Sequence, residues 1–216
     1  MSNLRSGLKF RLVACALAAL AVAVLGSFMP EFAMLQATNW ALFGLLALSL
    51  TLVWGHAGIF SFGQGAFFGA GAYAYGIAAI NFLPHTNETM SAVLVGALAG
   101  AVLATAVGYF MFYGKVGDVY VGIITLAMTL VLFTVMSSTA DPKYRIGEAQ
   151  IGGYNGMSGI PPLTWPTADG GEPLSAFHMF VFVVVLCAVV LAALYLILER
   201  PFGRVLAALR ENELRT

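Results

Sequence analysis

The sequence contains few charged residues. Only 9% of its 216 residues are Asp, Glu, Lys or Arg, whereas 60% are hydrophobic and the mean hydropathy is +0.90. This composition excludes a soluble globular protein and indicates a chain that crosses a membrane several times. Ten basic residues balance ten acidic residues, so the chain lacks the excess positive charge of a nucleic-acid-binding protein.

Residues that build disulfides and metal centres are also scarce. The two cysteines, Cys15 and Cys187, both lie in apolar runs, where a buried apolar role is expected rather than a disulfide or a metal ligand. The three histidines, His56, His85 and His178, do not have metal-ligand spacing. We therefore predict no metal site and no cofactor.

Nucleotide-binding and catalytic motifs are missing. No P-loop pattern is present, and the dinucleotide-like string over residues 69–74 lies inside an apolar run with no preceding strand. The apolar runs also contain no interior acidic or basic side chain, which ion-coupled carriers and proton pumps need to hold an ion or a proton. We expect that the chain is not an enzyme and that another polypeptide supplies the energy for any transport.

What the sequence does contain is a series of six long apolar runs. Each is long enough, as a helix, to cross a hydrocarbon layer of about 30 Å. They lie at about residues 12–29, 33–54, 58–80, 91–113, 118–138 and 176–198. The sequence thus predicts an all-α polytopic membrane protein that forms a single transmembrane domain over residues 1–216. A removed signal peptide is the alternative for the first run, although that run exceeds the usual length of a signal core.

The basic residues are distributed unevenly between the two sides of such a protein. With six spans and the N-terminus inside, eight basic residues lie on the cytoplasmic side and two, Lys143 and Arg145, lie outside. This asymmetry follows the positive-inside rule and predicts that both ends of the chain are cytoplasmic. Residues 139–175 then form an outer, periplasmic loop, and residues 199–216 form a cytoplasmic segment.

Residues 51–80 contain seven glycines and no charged residue. On a helix, four small residues form one stripe that would pack closely against another span: Gly65, Gly69, Ala72 and Gly76. The glycines before that stripe can also interrupt the helix, so that backbone and small polar groups line a path across the membrane. The predicted path residues are Gly58, Ser61, Gly63, Gln64 and Gly65. Whether residues 55–65 form a turn or a re-entrant break stays open at this stage.

The two hydrophilic segments each suggest a contact with another molecule. Residues 139–175 are rich in Gly and Pro but also contain large apolar residues, so we expect an ordered loop that docks a partner. Residues 199–216 have the pattern of an amphipathic helix with Val205, Leu206 and Leu209 on its apolar side. That helix either anchors at the membrane surface or contacts a soluble partner.

Three separated motifs together resemble one protein family. They are GHAGIFSFGQGAFFGAGAY over residues 55–73, GGYNGMSGI over residues 152–160, and PFGR followed by ALRENE over residues 201–204 and 208–213. In this order they are similar to the LivM-type permease subunit of bacterial ABC importers for branched-chain amino acids. Urea and short-amide permeases are relatives in the same superfamily, and the resemblance covers essentially the whole chain.

The resemblance implies a set of partners in the bacterial inner membrane and on its two sides. They are a LivH-type sister permease, two cytoplasmic ABC ATPase subunits and a periplasmic substrate-binding protein. Docking of the binding protein is expected at Gly152, Gly153, Asn155, Gly156 and Gly159. Coupling to the ATPase is expected at Arg204, Arg210, Glu211 and Glu213.

The family pattern normally continues beyond the last of these residues, so we expect this chain to be incomplete at its C-terminus. Two other functions remain open on the sequence alone. One is an ATP-independent channel built from the glycine-rich spans, and the other is a membrane scaffold that does not transport.

Overall fold

A computed structural model describes residues 2–166 and 171–211, with side chains described for residues 8–166, 171–208 and 210. Within these ranges the chain is mainly helical and carries two short hairpins. The α-helices are α1 (Ser2–Gly26), α2 (Glu31–Leu50), α3 (Gln64–Thr86), α4 (Met90–Tyr113), α5 (Asp118–Ser137), α6 (Ala176–Glu199) and α7 (Pro201–Glu211). The strands are β1 (Arg145–Ile146), β2 (Ala149–Gln150), β3 (Thr164–Trp165) and β4 (Glu172–Pro173). A π-helical turn, Thr51–His56, continues α2, and a 3₁₀ turn occupies Gly153–Asn155.

Six helices in this part of the chain are long and apolar enough to cross a membrane, which confirms the predicted all-α polytopic fold. They span Leu8–Gly26, Glu31–His56, Gln64–Thr86, Met90–Tyr113, Asp118–Ser137 and Ala176–Glu199. Many of their large apolar side chains are exposed on the chain's own surface, as expected where lipid or other membrane subunits cover a helix.

The predicted bounds of the third span are wrong. The sequence places that span at 58–80, but the helix begins at Gln64 and ends at Thr86. It cannot begin at Gly58, because that residue has φ +76°, in the left-handed region. At the other end, Asn87 adopts φ 53° and its amide bonds to the Leu83 carbonyl, which is a left-handed helix cap.

The chain forms two compact units, one made of Met1–Ile59 with Ser175–Thr216 and the other of Phe60–Leu174. We call these the outer-chain unit and the mid-chain unit. The outer-chain unit holds α1, α2, the π-helical turn, α6 and α7; the mid-chain unit holds α3, α4, α5 and both hairpins. The single domain over 1–216 therefore stays a prediction.

In the outer-chain unit, α1 and α2 each pack on α6. The buried core consists of Met34, Phe180 and Val184, surrounded by alanines of the three helices. Gly26 at the end of α1 lies directly against the Phe180 ring, where a Cβ would overlap the ring. Small residues thus let these helices approach where lipid provides no hydrophobic driving force between them.

In the mid-chain unit, α3 and α4 pack most closely through glycines. A Cβ at Gly71 would lie 2.9 Å from the Gly96 carbonyl oxygen, and one at Gly100 would lie 3.1 Å from the Phe67 carbonyl oxygen. The contact continues along the two helices through the buried alanines Ala78, Ala79 and Ala92. Because backbone meets backbone here, side chains larger than glycine do not fit between the helices.

The segment between α5 and α6 is tied to the ends of α3 and α4. Strands β1 and β2 pair antiparallel, and the Asn81 amide on α3 donates to the Ile146 carbonyl (3.0 Å) and accepts from the Glu148 amide (3.0 Å). The second hairpin, β3–β4, is held by the fully buried Thr89, whose Oγ1 accepts from the Thr164 amide at 2.8 Å. The hydrophilic segment over residues 139–175 is therefore ordered wherever the structure describes it.

Candidate functional site

The chain leaves the helical conformation between two of its spans. The π-helical turn ends at His56, α3 begins at Gln64, and residues 57–63 between them form no helix. We call residues 57–63 the backbone break. Non-helical backbone at membrane depth requires hydrogen-bond partners from protein or water, so the partners of this segment determine what it can do.

In the mid-chain unit, hydroxyl groups of α5 hold the backbone break in place. Thr125 is fully buried, and its Oγ1 accepts from the Phe62 amide at 3.0 Å while donating to the Val121 carbonyl at 2.8 Å. One turn further along, Thr129 Oγ1 lies 3.1 Å from the Phe62 carbonyl oxygen. The Thr125 hydroxyl thus takes the place of the helical partner that the Phe62 amide lacks. Thr129 Oγ1 lies closer to the Thr125 carbonyl oxygen of its own helix, at 2.7 Å.

Glycine at position 122 belongs to the same face of α5. It is buried, and a Cβ there would lie 3.4 Å from the Phe60 carbonyl oxygen and 3.6 Å from the Phe60 ring. Residues 60–62 of the backbone break, which belong to the mid-chain unit, thus lie on a face of α5 formed by Gly122, Thr125 and Thr129.

The structure brings four of the five predicted path residues together at the start of α3. Ser61 is buried, and its Oγ accepts from the Gly63 amide at 3.1 Å, which closes a tight turn. Gln64 follows as the first helical residue, and its Oε1 is buried without a hydrogen-bond partner in the described part of the chain. Such an acceptor costs about 1–3 kcal/mol unless something outside this chain satisfies it. Gly65 is open, with nothing within 4 Å of a Cβ built there.

The fifth predicted path residue, Gly58, belongs to the outer-chain unit and contacts α7. The Arg210 guanidinium donates from Nη1 to the Gly55 carbonyl at 2.8 Å, and a Cβ at Gly58 would lie 2.9 Å from Arg210 Cγ. The sequence predicts that Arg210 faces outward towards an ATPase. In the structure Arg210 is exposed and its guanidinium bonds to the π-helical turn, so its contact with an ATPase stays a prediction.

The remaining residues of the predicted coupling segment are only partly described. Arg204 is exposed on α7, and the Glu211 side chain and all of Glu213 lie outside the described residues. On the predicted apolar side of α7, Val205 is 47% exposed and Leu206 is half-buried, so the packing of that side stays a prediction. The side chain of the third member, Leu209, lies outside the described residues.

The predicted small-residue stripe does not form the chain's own helix contact. Among the described residues nothing lies within 4 Å of a Cβ at Gly65 or Gly69, and Ala72 is exposed. Helix α3 instead turns Gly71 towards α4, and Gly71 lies about 200° around the helix from Gly69 because each residue advances by about 100°. Gly76 is buried, but against Met157 and Ile160 of the hydrophilic segment rather than against a span.

The predicted docking glycines shape an exposed turn. Three of them have left-handed φ values, +84° at Gly152, +77° at Gly156 and +76° at Gly159, which glycine adopts without strain. The 3₁₀ turn between them presents Tyr154, whose side chain is 80% exposed, beside the exposed Asn155. Gly153 is also left-handed but buried against Ala140, so it anchors this turn.

Sequence reasoning alone missed the threonines of α5. Their spacing of four residues inside an apolar helix would be a usable signal, since it puts both hydroxyls on one face. The signal is weak, however, because a helical threonine commonly bonds to a carbonyl of its own helix. Thr134 does so in this chain, with Oγ1 at 2.8 Å from the Leu130 carbonyl oxygen.

Comparison with known families agrees with the resemblance found in the sequence. Residues 32–215 match the family described as the permease component of the branched-chain amino acid transport system. No curated protein and no solved structure gave a match to the chain. Since the family match extends over most of the chain, including the backbone break and both hairpins, this protein belongs to the branched-chain amino acid transport permease family.

Proposed function

We propose that this chain is the transmembrane permease subunit of an ABC importer that passes branched-chain or other neutral amino acids across the bacterial inner membrane. The observation that carries the proposal is the backbone break, which is held at Phe62 by α5 and followed by the Gln64 side chain, whose Oε1 is buried without a hydrogen-bond partner in the described part of the chain. Residues 51–80 carry no charged side chain. A path made of backbone and small polar groups suits a solute without net charge, such as an amino-acid zwitterion.

The energy for transport comes, in this proposal, from two ABC ATPase subunits, because no nucleotide-binding motif occurs in the sequence. A LivH-type sister permease packs on the open side of α3 at Gly69, which has nothing within 4 Å of a Cβ in the described part of the chain, and at the exposed Ala72. Helix α7 contacts the ATPase through its exposed side, which includes Arg204. Both ends of the chain are cytoplasmic, in keeping with the positive-inside rule.

On the opposite side of the membrane, a periplasmic binding protein delivers the substrate. The exposed turn with Tyr154 and Asn155 is the docking surface that we propose for it, together with the glycines that shape this turn. Tyr154 is the exposed aromatic side chain of this surface. Exposed aromatic residues of this kind are enriched in protein–protein interfaces.

The test of this function is uptake by the assembled importer. The full-length permease would be co-expressed with its sister permease, ATPase and binding protein, and the complex reconstituted in liposomes. We expect ATP-dependent accumulation of radiolabelled leucine, isoleucine or valine, with none when the ATPase carries an inactivated catalytic site.

Other results of the same assay would identify the alternatives. Accumulation of urea or a short amide in place of the amino acids would assign the chain to that branch of the superfamily. ATP-independent flux through the permease alone would contradict an importer and indicate a channel, and an absence of any flux would contradict transport.

A further inference from the structure

Helix α7 makes a specific polar contact with the π-helical turn of the outer-chain unit. The amides that follow this turn bond to carbonyls other than that of Gly55: Ala57 to Leu52, Gly58 to Trp54 and Ile59 to Val53. The Gly55 carbonyl instead accepts from Arg210 Nη1 at 2.8 Å. A hydrogen bond from a charged donor is roughly twice as strong as one between neutral groups, so α7 holds this turn firmly.

The stem of the same arginine is fixed by close packing. A Cβ at Gly58 would lie 2.9 Å from Arg210 Cγ and 3.5 Å from Arg210 Cα, so only a glycine lets the helix approach this closely. Gly58 also has φ +76°, which disfavours every other residue type. Arg210 therefore holds the chain at two points, by its guanidinium at Gly55 and by its stem at Gly58.

The position of these two points in the chain matters for function. They lie at the end of the π-helical turn and at the beginning of the backbone break, and Ile59 is the last residue before the mid-chain unit begins. Single π-helical turns inside α-helices are rare and occur frequently at functional sites. Because regular helix already ends at this turn, a change in the conformation of residues 55–58 breaks few further backbone hydrogen bonds.

We infer that Arg210 is a positioning residue that links α7 to the backbone break, so that a displacement of α7 changes the conformation of residues 55–58. This inference rests on the proposed importer function, in which the exposed side of α7 contacts the ATPase. Coupling between distant sites is carried by packed side chains and hydrogen bonds, and within the outer-chain unit the Arg210 contacts with Gly55 and Gly58 are of this kind.

The first experiment needs no partner protein and measures amide hydrogen exchange in the purified permease. Arg210→Met keeps most of the stem but removes the donor, and we expect exchange of the amides of residues 57–59 to rise about ten-fold. Arg210→Lys keeps a charged donor and should restore part of the protection. Arg204→Met is the matched control, because Arg204 is exposed on the same helix and has no hydrogen bond to the turn among the described residues; it should leave these amides unchanged. Equal exchange in Arg210→Met and the parent protein would overturn the inference.

The second experiment measures coupling in an importer whose parent form accumulates substrate. Arg210→Met should retain ATPase binding and hydrolysis while the amount of substrate moved per ATP falls several-fold, with partial recovery in Arg210→Lys. Gly58→Ala keeps the charge but displaces the arginine stem, so it should uncouple transport in the same way. If Arg210→Met instead loses the ATPase during purification, the residue contacts the ATPase directly and the inference is wrong.

The two experiments separate this inference from the proposed function. A parent complex that shows no ATP-dependent uptake contradicts the proposed function, and with it the coupling role, whatever the exchange result. If the parent complex transports normally and both Arg210→Met and Gly58→Ala move as much substrate per ATP as the parent does, only the role of Arg210 is contradicted.

Discussion

Replacing Gly71 with leucine is expected to destabilise the mid-chain unit strongly. The new side chain would start 2.9 Å from the Gly96 carbonyl oxygen and 4.0 Å from the Gly100 Cα, and these backbone atoms can move only if α3 and α4 separate. Overpacking a tight contact costs about 1–3 kcal/mol. The thermal unfolding midpoint of the purified permease in detergent should therefore fall by several degrees, roughly 2–4 °C for each kcal/mol lost.

The matched control for this substitution is Gly69→Leu on the same helix. Gly69 lies on the opposite side of α3, where a Cβ would have nothing within 4 Å in the described part of the chain. The unfolding midpoint of Gly69→Leu should therefore stay close to that of the parent chain. In the assembled importer, the same control should reduce recovery of the sister permease, because the open side of α3 is where we propose that it packs. Equal unfolding midpoints for Gly71→Leu and Gly69→Leu would contradict the close α3–α4 contact.

The second large effect is expected at Thr125. Thr125→Val conserves shape and volume but removes the hydroxyl that accepts from the Phe62 amide at 3.0 Å. Leaving a buried donor unpaired costs about 1–3 kcal/mol, and this cost falls on the backbone break rather than on the helices. Hydrogen exchange of the Phe62 amide should accelerate about ten-fold or more, and uptake by the importer should be lost or strongly reduced.

Two further variants make this prediction specific. Thr125→Ser retains the hydroxyl and should restore both exchange protection and uptake. Thr134→Val removes a hydroxyl from the same helix, but one that bonds only to the Leu130 carbonyl one turn away, so it should behave like the parent protein. If Thr125→Val and Thr134→Val give the same exchange at Phe62, the hydroxyl does not hold the backbone break.

The six spans could be predicted from the sequence because bilayer thickness alone sets the length of an apolar helix. Their bounds depended on local backbone conformation, and the left-handed φ of Gly58 that delays the start of α3 is not visible in hydrophobicity. Glycine content likewise identified α3 as a close-packing helix. It could not distinguish Gly71, which meets α4, from Gly69, which lies on the other side of the helix.

Of the candidate site, only the residues within the glycine-rich stretch 51–80 could be predicted from the sequence. Ser61, Gly63 and Gln64 could be identified because small and polar residues interrupt an apolar run there. The residues that hold the neighbouring backbone came from distant parts of the chain: Thr125 of α5 bonds to Phe62 in the mid-chain unit, and Arg210 of α7 bonds to Gly55 in the outer-chain unit. No local pattern encodes such a pairing, since a threonine or an arginine has many alternative partners until the helices are packed.

The central claim is that the backbone break and the start of α3 border a path for substrate, and thiol labelling tests it most directly. In a functional importer with Cys15 and Cys187 replaced by serine, Gly65→Cys is compared with Gly44→Cys on α2. Both glycines have open space around them, but only Gly65 adjoins the break. We predict that a charged, membrane-impermeant thiol reagent modifies Gly65→Cys, that bound substrate slows this reaction, and that Gly44→Cys is unreactive. If Gly65→Cys is as unreactive as Gly44→Cys, or reacts at the same rate with and without substrate, the backbone break does not border the substrate path.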